Sequence, residues 1–158
     1  MRVGIGYDAH KLASERPLIL GGIEIAKDNG LEGHSDGDVL IHSIIDALLG
    51  AAVLGDIGQH FPSENLELAG IKSTAMLTKV QELLGREGWR VVNLDATIVA
   101  EKPKLTPYLD LMRKEIGTFL DIDSQRVSIK ATTTDGLGFT GSQTGVACHS
   151  IALIESKK

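Results

Sequence analysis

The chain has 158 residues, which favours one domain and leaves room for a substantial core. Its 42% hydrophobic and 23% charged residues exclude disorder, and a formal net charge of −5 argues against non-specific nucleic-acid binding, which wants a basic face. The one cysteine, Cys148, excludes an intrachain disulfide and a cysteine-based zinc site, so a transition-metal site must use histidine and carboxylate. No stretch approaches the ~18 apolar residues of a membrane span and no signal peptide is visible, so a cytoplasmic address is expected, or a plastid one if a transit peptide has been removed.

Taken in order, residues 2–8 read as a strand and Leu18 to Ile25 as a hairpin around Gly21-Gly22. Gly30 to Gly37 reads as a polar loop. Asp38 to Leu54 reads as a helix with Ser35 and Asp38 as its start signal. Gly55 to Asn65 is a loop broken by Gly58 and Pro62. Ser73 to Arg86 is an amphipathic helix closed by Gly88, and Trp89 to Ala100 alternates as a strand. Thr106 to Leu120 is a second amphipathic helix with Pro107 in its first turn. Arg126 to Ala131 and Val146 to Ile154 are strands separated by a Thr- and Gly-rich loop. This order predicts an α/β fold of the α+β type, a single-domain sandwich over 1–158 with helices packed on one side of a mixed β-sheet.

Two constellations carry chemistry. Asp8-x-His10 on a strand puts both side chains on one face. On the helix, Asp38, His42 and Asp46 are spaced by four and form one polar stripe beside a wide apolar face. Taken alone, the first reads as a strand end facing water and the second as an ordinary solvated stripe or a buried histidine satisfied by Asp46. Together they supply three zinc ligands with the fourth position open, the layout of a catalytic site. Asp46, one turn from His42, could then accept the proton of the ring's other nitrogen.

Two loops have substrate-binding composition. Gly33 to Asp38 runs into a helix N-terminus, where free N–H groups favour anions, so His34 and Ser35 could face a phosphate; plain capping explains the same loop except His34. Lys130-Ala-Thr-Thr-Thr-Asp135 combines hydroxyls, a cation and a carboxylate suited to Mg²⁺, although a β-rich Thr run ending in an Asp-Gly turn is common. Gly4-x-Gly6 is too short for a nucleotide fingerprint.

Tyr7-Asp-x-His10, His34-Ser-Asp-Gly-Asp38, Leu54-Gly-Asp-Ile-Gly58, Phe61-Pro62, Pro103-Lys104, Lys130-Ala-Thr-Thr-Thr134 and Leu137-Gly-Phe-Thr-Gly141 together resemble the 2-C-methyl-D-erythritol 2,4-cyclodiphosphate synthase family of the non-mevalonate isoprenoid pathway. The resemblance runs in order from residue 1 to about 154. It implies zinc on Asp8, His10 and His42, with a substrate β-phosphate oxygen as fourth ligand. It implies that His34 and Thr133 position phosphates or stabilise the transition state, with Ser35 close by. Asp56, Ile57 and Gly58 match the pocket for the methylerythritol part, and the loop with Phe61, Ser63 and Asn65 a further contact. Ala100, Pro103, Lys104, Leu105 and Thr106, with Ala131, Thr132 and Thr133, match the cytidine site; Phe139 is implied as a further substrate contact. Asp135 matches a carboxylate holding a second divalent cation, Mg²⁺ or Mn²⁺. The family's homotrimers place active sites between neighbours, zinc on one chain and cytidine on the next.

The chain departs from the family's pattern at Asp135, where many members have Glu, at Ser63-Glu-Asn65, where many have Asp-x-Asp, and at Ser142, where many have Arg. The implied reaction converts 4-diphosphocytidyl-2-C-methyl-D-erythritol 2-phosphate to a cyclic diphosphate: its 2-phosphate attacks the β-phosphorus and CMP leaves. The implied partners are that small molecule and two further copies of the chain, with no nucleic acid and no membrane. Two other classes stay open on the residues alone: a zinc-dependent phosphoester hydrolase and a non-catalytic cytidine-nucleotide or metal-binding module.

Overall fold

In the computed structural model, which describes residues 1–157, the opening stretch forms β1 (Arg2–Ala13), five residues longer than expected from its start signal alone. It is extended because it pairs antiparallel along its length with the C-terminal strand, from Arg2 opposite Ile154 to Lys11 opposite Gly145. The hairpin consists of β2 (Leu18–Leu20) and β3 (Ile23–Ala26), turning at Gly21 and Gly22, both with positive φ. The loop expected over 30–37 contributes a short strand, β4 (Gly30–Leu31), which pairs with the far end of β1.

Helix α1 (Val39–Ala52) is buried all round apart from Asp46 and Gly50. The 55–65 segment is not wholly irregular: it holds a single-turn helix, α2 (Ile57–His60), started by the Asp56 carboxylate on the Gln59 N–H. Helix α3 (Ser73–Arg86) and strand β5 (Trp89–Val99) follow the expected bounds closely. The first turn expected of the next helix is a 3-10 turn over Thr106–Tyr108, and α4 proper is Leu109–Leu120. Strand β6 (Val127–Thr132), the single-turn helix α5 (Gly138–Gly141) and strand β7 (Gly145–Ser156) complete the chain.

The main sheet has the order β4-β1-β7-β5-β6 and is mixed, because β5 and β6, joined through α4, run parallel while the other pairs are antiparallel. The helices pack on one face, and the core lies between them and the inward residues of the strands, including Leu94, Ala96, Ile98, Cys148, Ala152 and Ile154. Along β1 the even-numbered positions turn inward, which is why Asp8 and His10 share the helix side of the sheet. The outward positions Val3, Ile5 and Tyr7 and, across the strand pair, Ile151 leave an exposed apolar strip on the other face.

Candidate metal centre and substrate cavities

The centre depends on how closely α1 lies on β1. Gly4 and Gly6 present no side chain: a Cβ at Gly6 would fall 1.9 Å from the Ser43 carbonyl oxygen, and one at Gly4 2.1 Å from that of Ala47. These glycines let the helix backbone rest on the strand backbone, which is the role the Gly-x-Gly pair has here. Asp38 then fixes the start of α1. Its fully buried carboxylate accepts the N–H groups of Gly21 (3.0 Å), Gly22 (2.7 Å) and Ile41 (3.1 Å), tying the hairpin turn to the helix cap. Burial pushes the Asp38 carboxyl up to about 6, against those three donors, which pull the other way.

With the helix so placed, Asp8, His10 and His42 converge. His10 Nε2 lies 2.7 Å from Asp8 Oδ2, His42 Nδ1 lies 3.1 Å from the same oxygen, and the two ring nitrogens are 3.1 Å apart. Ligand atoms at ~2.0–2.1 Å in a tetrahedron stand about 3.3 Å from one another, so this slightly compact triangle fits a divalent cation with an open fourth position. The donor set fits as well. His10 Nδ1 donates to the Glu32 carbonyl, which can only accept, so in the neutral ring Nε2 is bare and faces the triangle. Burial disfavours charge on both partners. Even so, the hydrogen bonds and charges of His10 and His42 hold the Asp8 carboxyl well below the usual carboxylate range, and Asp8 together with the Glu32 carbonyl raises His10 above its ordinary value. A cluster with so high an affinity for positive charge is suited to a metal ion.

The expectation for Asp46 is corrected. Its carboxylate accepts the Ile57 N–H at 2.8 Å and so anchors α2; burial, with the charges of Asp56 and Asp8, raises its pKa against that one donor. The distal nitrogen of His42 instead faces two hydroxyls, Ser35 Oγ at 3.0 Å and Ser73 Oγ at 2.9 Å. The spacing of four placed Asp46 beside His42 along the helix, but His42 is buried and its ring is turned toward the start of α3. The stripe of Asp38, His42 and Asp46 is therefore not a solvated face. Nor is the α1 N-terminus an open anion site, since Asp38 occupies it, and Ser35 is not its cap: its hydroxyl lies against His42 and the Gly37 N–H.

A cavity of about 220 Å³ opens over the triad and is lined by Asp8, His10, His34, Ser35, His42, Ile57, Gly58, Phe61 and Ser63. Leu68, Ile71 and Met76 complete its wall and were not singled out in the sequence, where they read as ordinary apolar positions. Of the neighbouring expected contacts, Asp56 caps α2 and Asn65 caps the 3-10 turn at Leu66–Leu68. Arg16 holds the loop beneath by donating to the carbonyls of Gly33 (3.2 Å) and Ser35 (3.0 Å).

The remaining expected residues gather elsewhere. Glu101, Lys102, Pro103 and Lys104 line a second cavity of about 580 Å³ together with Leu12, Asp28, Asn29, Thr140 and Gln143. The side chains of Ala100 and Leu105 belong to the core, so only their backbone can meet a ligand, and Thr106 opens the 3-10 turn. The Thr run joins this loop: Glu101 accepts the N–H groups of Thr134 (3.0 Å) and Gly136 (3.4 Å), a link that no sequence spacing advertised. Thr133 Oγ1 donates to Asp135 at 3.1 Å, Thr132 donates to the Thr133 carbonyl at 3.3 Å, and Ala131 is exposed beside them. Lys130 is paired with Asp95. Phe139 is half-exposed, its ring over Gly145.

Comparison with known proteins places this geometry in context. Residues 1–155 match the model of the YgbB family. A 2-C-methyl-D-erythritol 2,4-cyclodiphosphate synthase of Syntrophomonas wolfei is 55% identical over 98% of this chain and 99% of its own length, and one of Clostridium botulinum is 52% identical over 98% and 100%. Among solved structures, the bifunctional IspDF of Campylobacter jejuni superposes with a TM-score of 0.95 at 39% identity, covering 98% of this chain, which spans 42% of that longer one. The IspF of Plasmodium falciparum in complex with CDP gives 0.86 at 32% identity, covering 99% and 97%.

Proposed function

The chain belongs to the YgbB family, and from that membership and the geometry above we infer that it catalyses the intramolecular cyclisation of 4-diphosphocytidyl-2-C-methyl-D-erythritol 2-phosphate to 2-C-methyl-D-erythritol 2,4-cyclodiphosphate, releasing CMP. This is a phosphorus–oxygen lyase reaction of isoprenoid precursor synthesis. The observation that carries it is the convergence of Asp8, His10 and His42 at the base of a cavity in a chain that matches these synthases over its full length.

In this reading Asp8, His10 and His42 hold zinc and Asp135 holds a second cation, Mg²⁺ or Mn²⁺. Bound there, the two ions would neutralise phosphate charge and polarise the β-phosphorus. The nucleophile is already an anion, so no strong general base is required. The chain's own task is to bring one phosphate up to another, and holding both ends of one flexible molecule lowers the entropic part of the barrier. Asp56, Ile57 and Gly58 take the methylerythritol part, with Phe61, Ser63 and Asn65 beside it. His34, from the rim of the triad cavity, and Thr133 meet the phosphates. Cytidine is read by Ala100 to Thr106 and Ala131 to Thr133, chiefly through backbone groups. All of 1–158 acts as one unit, in the cytoplasm. Among the described residues no helix is long and apolar enough to cross a membrane. A homotrimer covers the exposed apolar strip of the sheet.

Phosphorus NMR of the purified protein with that substrate, Zn²⁺ and Mg²⁺ should show cyclic diphosphate and CMP in equal amounts with no ¹⁸O taken from labelled water. Solvent oxygen in the product would point to a hydrolase instead. His42→Ala should abolish turnover and lower zinc content; full zinc with near-normal turnover would remove the triad from the mechanism.

A further inference from the structure

Ser73 and Asp36 lie behind His42, and neither is assigned a role in the reading above. Ser73 is the first residue of α3 and is fully buried. Asp36, from the loop before α1, accepts the Ser73 N–H at 2.9 Å and the Asp38 N–H at 3.3 Å, and it also pairs with the Ser73 hydroxyl. On the other side of the ring, Nδ1 faces the Asp8 carboxylate at 3.1 Å, which competes for the ring's proton until a metal takes its place. On the Nε2 side, donor and acceptor accounting leaves one solution for the Ser73 contact. A carboxylate has no proton to give, so in the Ser73–Asp36 contact the hydroxyl donates. Having spent its one proton, Ser73 Oγ offers only a lone pair to His42 Nε2, 2.9 Å away. That contact is a hydrogen bond only if the proton sits on Nε2.

We propose that Asp36 and Ser73 are positioning residues that lock His42 in its Nε2–H tautomer, keeping Nδ1 bare and aimed at Asp8 and His10 as a metal ligand. The chain runs from His42 Nε2–H to Ser73 Oγ–H to the Asp36 carboxylate. It does for His42 what the Glu32 carbonyl does for His10, so both rings present an unprotonated nitrogen to the same point. Ser35 cannot serve in the same way. Its hydroxyl stands 3.0 Å from Nε2, but among the described residues its only other hydrogen bond is from the Gly37 N–H, which donates to it at 3.3 Å. Its proton is therefore uncommitted, and Ser35 could donate to a bare Nε2, which would favour the opposite tautomer. Ser73, with Asp36 behind it, breaks that tie. Outer partners of this kind typically change metal affinity or activity by about 10- to 100-fold. The proposal rests on the reading of Asp8, His10 and His42 as a metal site.

The test uses the full chain labelled with ¹⁵N-histidine, without metal and then with Zn²⁺. Long-range ¹H–¹⁵N spectra report which ring nitrogen carries the proton, and competition with a chelator reports zinc affinity. The wild type should show Nε2–H on His42 with Zn²⁺ bound and, without metal, a larger Nε2–H share than Ser73→Ala. Ser73→Ala should admit the Nδ1–H form and weaken zinc by about 10- to 100-fold, and Ser73→Thr should restore both. Ser35→Ala should leave tautomer and affinity unchanged. Should Ser73→Ala fail to fold, Asp36→Asn decides: its amide can donate to Ser73, freeing the hydroxyl to donate to His42 and reversing the tautomer. A folded Ser73→Ala protein with an unchanged tautomer share and unchanged zinc affinity would overturn the proposal. If His42→Ala binds zinc as tightly as the wild type, the metal reading fails, while the tautomer difference between the metal-free wild type and Ser73→Ala still decides the role of Ser73.

Discussion

At the scale of single residues, the site is organised by buried carboxylates whose partners are backbone N–H groups. Asp38 is the clearest case: it is fully buried, and among the described residues no cation pairs with it and three amides from two segments compensate it. Its folded pKa, about 6, lies above the ordinary 3.8, so the native state holds this proton more tightly than the unfolded chain does. The stability it contributes is therefore complete below about pH 4 and is lost as pH rises through about 6. Replacing Asp38 by Asn should cost about 1–3 kcal/mol at pH 7.5, because an NH₂ group meets an N–H donor. It should also remove the slope. In urea unfolding between pH 4.5 and 7.5, the gap between wild type and variant should narrow with rising pH by about 1–3 kcal/mol; parallel stability curves would refute the assignment. The sequence marked Asp38 as a cap, but the hairpin glycines that share its carboxylate are seventeen and sixteen residues away, and no local pattern links them.

At the scale of elements, β1 and α1 form the unit on which the site depends. Strand alternation already put Asp8 and His10 on one face, and the apolar run around His42 already indicated a helix; both readings use periods the sequence displays directly. The packing of one on the other was less legible. Gly4-x-Gly6 looks like a failed nucleotide motif until the Ser43 and Ala47 carbonyls are seen over it. That the distal nitrogen of His42 meets Ser73 rather than Asp46 depends on where α3 begins, thirty-one residues away in sequence. Gly6→Ala should therefore damage the metal centre beyond its cost in stability. The helix must lift from the strand, at ~1–3 kcal/mol or more, and zinc affinity should fall because Asp8 and His42 move apart. Gly50→Ala in the same helix is the control, since its Cβ would meet nothing closer than the Ile5 carbonyl at 4.0 Å. It should raise stability by about 0.5–1 kcal/mol and leave zinc binding intact. Equal zinc affinity in the two variants would show that the glycine contact does not position the site.

At the scale of the whole molecule, two features are unfinished in one chain. The outward face of the sheet exposes Val3 (67%), Ile5 (72%), Tyr7 (50%) and Ile151 (49%), where an antiparallel face turned to water is normally polar. The metal triad and the Glu101–Lys104 loop also line separate cavities, although the proposed substrate would have to reach both. A trimer that buries the strip and sets the triad of one chain beside the loop of the next would resolve both features. The order of strands, read from the sequence, could not reveal this, because adjacency between copies leaves no periodic signal in either. Two separately inactive variants test it: His42→Ala, lacking the metal ligand, and Asp135→Ala, lacking the carboxylate on the nucleotide side. If each site draws on two chains, unfolding and refolding an equal mixture should restore CMP release at about a quarter of the sites, with a sedimentation mass of three chains. Sites built within one chain would recover nothing, because every chain in the mixture carries one lesion.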